Sequence, residues 1–473
     1  MATFRKNRPT RMREGDPDMD TPLVRRPRLL TPRMAALLIV TCALPGAVLS
    51  ASAAADSLAV TNDAPWNPPH VMARRQVWEQ VVLLPGRVLS LPLAGLGAIS
   101  DGLLLRLEDN PHFMTAPGAA RGRARQGVIV RTARMGDRTG LGGAIAAYAD
   151  IGQGPRRSML RAEYAATLHH YDRTLLTWSG QPLAVQYGYE WRPQERFYGT
   201  GGDSRASDVS GYSAQSEFVR GSAVWESGRA RVPGHALARV SLWAGTRSAV
   251  NADGHERGTL ATSLRTPALA ATVLGRREEN LDLGAQLGFD RRAGTPHWGT
   301  GWRTLLTAER LSAPIHAQAL HSGSDAAAGF TRLTAEAEAG VSFMRDPRTL
   351  RAMVRVSQLR ADQHAERLLL SDLSTLGGQA GLGGYAPGRF HDRDLLLTRL
   401  DYIFPLQRHF EMGLHSEWGS VYPDVWTDAR LSTLHHSYGF EFRVRTDARP
   451  RAALGMDFSR ESARLRFSIG GLE

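Results

Sequence analysis

The chain has almost no cysteine, almost no lysine and only one long apolar run. Cys42 is the single cysteine. It lies inside that apolar run, and Val40 and Thr41 before it make no lipoprotein box. Once the run is removed, disulfides and thiolate chemistry are excluded. Lys6 is the only lysine among 58 basic residues, so the net charge of +12 rests on arginine. Those arginines are scattered, without the clustered patch that nucleic acid requires. Anionic lipid headgroups and lipopolysaccharide phosphates are the expected partners of the surplus charge, and nucleic acid is not. A nucleophile elbow, an H-E-x-x-H helix and a calcium loop are all missing. His169-His170 and His435-His436 are adjacent pairs. On a strand such neighbours face opposite sides, so neither pair chelates a metal alone. No enzymatic activity, metal or cofactor is expected.

The apolar run is residues 34–55, MAALLIVTCALPGAVLSASAAA. Arg25, Arg26, Arg28 and Arg33 precede it, and Ala51-Ser52-Ala53 closes it. A basic region, an apolar region and a small-residue site make a secretory signal peptide. Pro45 and Gly46 interrupt the run and argue against a spanning helix; an uncleaved anchor is the alternative. The basic region ahead of it is long, and Met12, Met19 and Met34 are further candidate starts. Residues 56–124 read as a short periplasmic segment, Pro-rich at 63–69. One or two short helices are expected there, broken at Pro85 and Pro92. The organisation is therefore a signal peptide at 1–55, a periplasmic segment at 56–124 and a β domain at 125–473.

From about residue 126 the pattern has period two. Leu183, Val185, Tyr187, Tyr189 and Trp191 alternate with Ala184, Gln186, Gly188 and Glu190. Leu281, Leu283, Ala285, Leu287 and Phe289 alternate with Asp282, Gly284, Gln286, Gly288 and Asp290. Tyr438, Phe440 and Phe442 alternate with Gly439, Glu441 and Arg443, and Leu465 and Phe467 with Arg464 and Arg466. Successive strand side chains point to opposite faces. Either a soluble sandwich or a membrane barrel with a wet lumen produces such alternation. Export, strands of about ten residues and aromatics gathered at strand ends favour the barrel. Roughly 350 residues, at roughly 20 to 24 per strand and turn, give about 16 antiparallel strands. The expected fold is all-β, a transmembrane antiparallel β-barrel. Two stretches, 232–277 and 313–329, do not resolve into strands by pattern.

Four segments stand out within this frame. Residues 195–204, ERFYGTGGDS, carry Phe197, Tyr198, Gly199 and Gly201 in a tight turn. A phosphate-cradling loop is excluded there, because no Lys-Ser/Thr pair or helix follows. Residues 376–406, LGGQAGLGGYAPGRFHDRDLLLTRLDYIFPL, run from a glycine-rich loop into an alternating strand. Residues 414–419, LHSEWG, place an acid two residues before a glycine, and residues 437–473 hold the final strands.

In this order the four segments resemble the bacterial surface antigen family, the BamA/TamA-like outer-membrane barrels that insert or export other proteins. The resemblance covers residues 126–473. It implies a loop-six-like motif at Leu382, Gly383, Gly384, Tyr385, Gly388, Arg389 and Phe390. It implies a barrel-wall partner at Glu417 and Gly419, and an early turn at Phe197, Tyr198, Gly199 and Gly201. The family's loop carries Val-Arg-Gly-Phe or Tyr, and its arginine reaches an aspartate on the wall. Here Gly383 stands at the arginine and Glu417 at the aspartate, with Arg389 and Arg393 nearby as possible substitutes. A Glu417 left without that partner would be hydrated in the lumen, and an ordinary lumen carboxylate is the alternative reading of the motif. The segment at 56–124 is too short for the family's POTRA domains. The family ends in an aromatic; here Phe467 is the last aromatic and the chain ends Leu472-Glu473. The implied location is the outer membrane of a Gram-negative bacterium. The implied role is outer-membrane protein assembly or polypeptide translocation, with unfolded outer-membrane or exported polypeptides as clients. A passive pore or structural surface barrel is the alternative, and the barrel half of a hydrolase system a third reading.

Overall fold

The computed structural model describes residues 126–133, 142–151, 158–227, 237–254, 274–275, 277–292, 300–312, 329–343, 348–362, 368–407, 410–446 and 449–469. The expected signal peptide and periplasmic segment lie outside the described residues. The first strands are β1 (Gln126–Ala133), β2 (Gly142–Ile151), β3 (Ser158–Thr167), β4 (Asp172–Gly180), β5 (Leu183–Phe197) and β6 (Ser210–Ser227). They are followed by β7 (Leu237–Asp253), β8 (Arg277–Asp290), β9 (Gly301–Ser312), β10 (Phe330–Phe343) and β11 (Arg348–Ala361). A loop then carries the short strands β12 (Ser374–Leu376) and β13 (Phe390–Asp392). The chain closes with β14 (Asp394–Gln407), β15 (Phe410–Tyr422), β16 (His435–Thr446), β17 (Arg449–Ser459) and β18 (Ala463–Ile469).

All except β12 and β13 form one 16-stranded sheet in chain order, and each neighbouring pair is antiparallel. β12 and β13 pair with each other. The only α-helix among the described residues is the single turn Val425–Asp428, and none is long and apolar enough to cross a membrane. β1 and β18 end the strand order, and no pairing joins them among the described residues.

The two faces of the sheet are inverted relative to a soluble protein. In β8 Leu283, Leu287 and Phe289 are exposed while Asp282 is 2% or less accessible. In β16 Tyr438 and Phe440 are exposed while Glu441 and Arg443 are buried. A sandwich would bury the apolar faces against each other. A wall with charge inside and leucine outside is stable only when lipid covers the outside. This excludes the sandwich, and the fold is that of a transmembrane β-barrel wall. Leu242 on β7 is 46% exposed. Leu242→Arg is expected to destabilise the protein in bilayers by about 2–4 kcal/mol. An unfolding titration in liposomes reads this, with the inward-facing Gln286→Arg expected to cost far less.

β7 lies in a stretch that pattern left unresolved. Its outward residues do alternate, but Trp243 faces inward and donates its indole N–H to Asp282 at 3.0 Å. An aromatic on the polar face, among alanine, serine and glycine, hides the period.

Candidate functional site: a loop lodged inside the wall

Residues 368–393 connect β11 to β14 and fold inside the sheet. Apolar residues drive this. Leu376, Leu382, Tyr385 and Phe390 pack with Leu395, Leu397 and Val421 of the wall. Leu370 packs with Phe197, Tyr212 and Ala214, and Leu368 with Leu311, Phe330 and Leu359. The loop thus touches β5 and β6, β9 to β11, and β14 and β15, strands far apart in the sheet order. The sheet therefore curls around it.

The loop's own path is tight. Gly377 has φ 116°, and a Cβ there would sit 2.2 Å from the Ala386 carbonyl oxygen. Gly377 N–H donates to Gly381 O at 2.8 Å, and Tyr385 N–H to Leu382 O at 2.9 Å. Leu382 holds φ 62° although it is not glycine, and it is fully buried. That left-handed backbone costs of order 1–3 kcal/mol, which the surrounding apolar packing must offset.

On one side the loop meets β15 to β18 through its backbone. Gly383 N–H donates to Glu417 Oε2 at 2.7 Å, and Gly384 N–H to Ser437 Oγ at 2.8 Å. Gly384 O accepts from Ser459 Oγ at 2.9 Å and Ser462 Oγ at 2.7 Å. Tyr385 O accepts from Arg464 Nη1 at 2.6 Å. A Cβ on Gly383 would lie 2.6 Å from Asp457 Oδ2, so any side chain there must displace the Asp457 carboxylate. Gly419 likewise leaves space that Leu376 and Leu397 fill.

Glu417 is paired and shielded even though the family's loop arginine is missing. It is 3% exposed. Besides the Gly383 N–H, it accepts from Arg399 Nη1 at 3.0 Å. The cation comes from the wall rather than from the loop. Neither Arg389 nor Arg393 is among its partners. Arg399 also contacts Asp401 at 2.7 Å, Asp401 contacts Arg351 at 3.1 Å, and Arg351 contacts Glu338 at 3.8 Å. A belt of alternating charge thus runs along the inner wall and ends at the loop.

Arg389 instead ties the loop to two turns. Its buried guanidinium grips Glu461 with Nε at 2.9 Å and Nη2 at 3.0 Å. Nη1 donates to Ser204 Oγ at 2.8 Å and Nη2 to Ser204 O at 2.6 Å. It lies over Tyr198 at 5.1 Å and Phe390 at 4.7 Å. Ser204 follows β5, and Glu461 lies in the turn between β17 and β18. A planar fork with several donors suits this task, where an ammonium would not.

The early turn docks against the same loop. Phe197 and Tyr198 are buried, and Gly199 and Gly201 have φ 98° and 90°. Gly201 N–H donates to His391 O at 2.9 Å, and Thr200 bridges His391. Gly388, at φ 61°, lies against the His391 ring. At the far side Arg247 Nη1 contacts Asp372 Oδ1 at 2.6 Å. Asp394 accepts from Leu359 N–H at 2.9 Å and Val425 N–H at 3.1 Å, which fixes the start of β14.

All four segments singled out in the sequence therefore meet at one place. Sequence reasoning missed Ser204, Ser437, Ser459, Glu461, Ser462 and Arg464. These grip backbone or a guanidinium across long sequence separations, and nothing local marks them.

No family model matches the chain, and no curated protein matches it. Among solved structures, the chain is similar to BamA from Haemophilus ducreyi lacking POTRA domains 1-3. The identity is 9%, over 74% of this chain and 70% of that one, with a TM-score of 0.48. It is also similar to CdiB from Acinetobacter baumannii at 10% identity, over 72% of this chain and 58% of that one, with a TM-score of 0.39.

Proposed function

We propose that this chain is an outer-membrane β-barrel that assembles membrane proteins or translocates polypeptides, with loop 368–393 as the brace that governs its lumen. The carrying observation is how the loop is held. Contacts of Gly383, Gly384, Tyr385 and Arg389 with the wall are polar and separate, so each is exchangeable with water or with an incoming backbone. Serine and arginine side chains that recognise loop backbone are suited to recognising the backbone of any polypeptide. The motif order shared with the surface antigen family supports the same role, and the lipid-facing exterior supports the outer membrane as its location. The excess of arginine supports contact with anionic lipid and lipopolysaccharide. The work is mechanical and electrostatic, and no cofactor enters it. A passive pore gains no support from a lumen that holds a folded loop.

Client folding in proteoliposomes tests the proposal. The full chain at pH 7.5 is expected to speed the folding of an unfolded outer-membrane protein at least tenfold over empty liposomes. Equal rates with several clients would remove the assembly reading and leave an export barrel or a pore.

A further inference from the structure

We propose that the joint between the lumenal loop and the early turn is an acid-releasable latch, and that protonation of His391 undocks the loop. The inference rests on the reading of that loop as a brace, and its test needs no client. His391 lies in β13 and is 2% exposed. Its ring meets Phe197 edge-on at 5.4 Å, and its backbone carbonyl holds Gly201. Nδ1 is buried without a hydrogen-bond partner among the described residues. Next to it, Phe390 stacks on His435 at 4.1 Å. His435 Nε2 faces Gly202 O at 2.9 Å, and since a carbonyl only accepts, the imidazole donates. The early turn is thus held at two points: the His391 ring packs on Phe197 while its carbonyl holds Gly201, and His435 of β16, stacked on Phe390 of the loop, donates to Gly202.

The two histidines differ in what a proton does. His435 keeps its bond to Gly202 when its other nitrogen is protonated. His391 has no acceptor for a new N–H, and a charge there is unsolvated. Burial alone pulls the His391 imidazole down to about 4. The charged and titratable groups around it give little relief. On its own hairpin stand Arg389, already bound to Glu461, and Asp392. From β16 comes His435, and from the early turn Tyr198, which lies under Arg389. A cavity of about 340 Å³ opens beside His391, lined also by Glu190, Arg192, Glu195, Tyr212 and Arg247. There Arg192 donates to Glu190 at 2.9 Å, and Arg247 contacts Asp372.

The sign follows from the lowered value. An undocked His391 returns to its ordinary value near 6.5 and binds a proton that the docked form refuses. Docking is therefore complete above pH 7 and weakens as pH falls through 6.5, levelling off below about 4. Between pH 7.5 and pH 5 the ratio of undocked to docked loop is expected to rise about 30-fold.

Planar-bilayer conductance of the full chain at pH 7.5 and pH 5 tests this, alongside hydrogen exchange of the 377–391 amides corrected for intrinsic rates. The expected result is a conductance step and faster exchange at pH 5, both lost in His391→Phe, which keeps an aromatic ring but cannot be protonated. Should that variant fail to fold as a heat-modifiable barrel, the exchange measurement on the unaltered chain decides. Unchanged protection at pH 5, or an acid step that persists in His391→Phe, overturns the latch. An acid step together with failed client folding at pH 7.5 would leave the latch standing and remove the proposed function alone.

Discussion

Gly384→Ala is expected to unseat the loop while leaving the barrel wall folded. An alanine Cβ at this position would sit 2.3 Å from the Phe458 carbonyl carbon, 2.5 Å from its oxygen and 2.7 Å from Ser459 N. All three atoms belong to the backbone of β17, so no side chain can rotate out of the way. Either the loop or the strand must move. The strand is held by β16 and β18 on both sides, so the loop is the part that yields. Moving it breaks the Gly384 hydrogen bonds to Ser437, Ser459 and Ser462. Overpacking costs about 1–3 kcal/mol, and each lost hydrogen bond adds about 1 kcal/mol. The docked population is expected to fall by roughly two orders of magnitude or more. Protease cleavage within residues 377–391 of a barrel that still shows heat-modifiable mobility reads the effect. Full protection in Gly384→Ala would mean that the loop does not approach β17 this closely.

The second large effect is at Arg389. Arg389→Ala leaves Glu461 without its bidentate partner and strips Ser204 of two donors. Breaking one side of a buried pair costs about 3–5 kcal/mol. The Glu461 side chain is 22% exposed and can recruit water, which puts the expected loss near the lower end. Arg389→Lys is expected to behave more like alanine than like arginine, because one ammonium cannot span Glu461 and Ser204 together. The checking measurement is hydrogen exchange, where residues 199–204 and 459–462 should lose protection along with the loop. Loss confined to the loop would show that Arg389 does not join the two turns.

The wall was open to reading because its physics is periodic. Leu283 and Asp282, or Phe440 and Glu441, sort to opposite faces by chain geometry alone, and lipid outside with water inside demands that sorting. β7 resisted because Trp243 is spent on Asp282 inside the lumen. The loop segment was also visible, through its glycines and its Gly-Arg-Phe turn, but its bonding was not. The sequence shows Gly383 where an arginine was expected and an acid at Glu417, and nothing local supplies the cation. Arg399 is found only once the register is known. At the turn, Gln407 pairs with Phe410, a register that would set Arg399 against Trp418. An irregularity between Pro405 and Gln407 shifts the ladder by one, and Arg399 lands opposite Glu417. A one-residue slip of this kind flips every side chain to the other face. Within 394–422 only Pro405, which cannot donate to the ladder, marks the place.

The most direct test of the lodged loop is a cross-link in the native membrane. A Cβ on Gly383 would lie 3.3 Å from Asp457 Cβ, close to the roughly 3.5–4.5 Å spacing of disulfides. Gly383→Cys with Asp457→Cys, in a Cys42→Ser background, is expected to form a disulfide in most molecules under mild oxidant in intact cell membranes. The cross-linked chain should migrate faster on a denaturing gel until it is reduced. Absence of the cross-link, in a protein that still shows heat-modifiable barrel mobility, would contradict a loop lodged against β17.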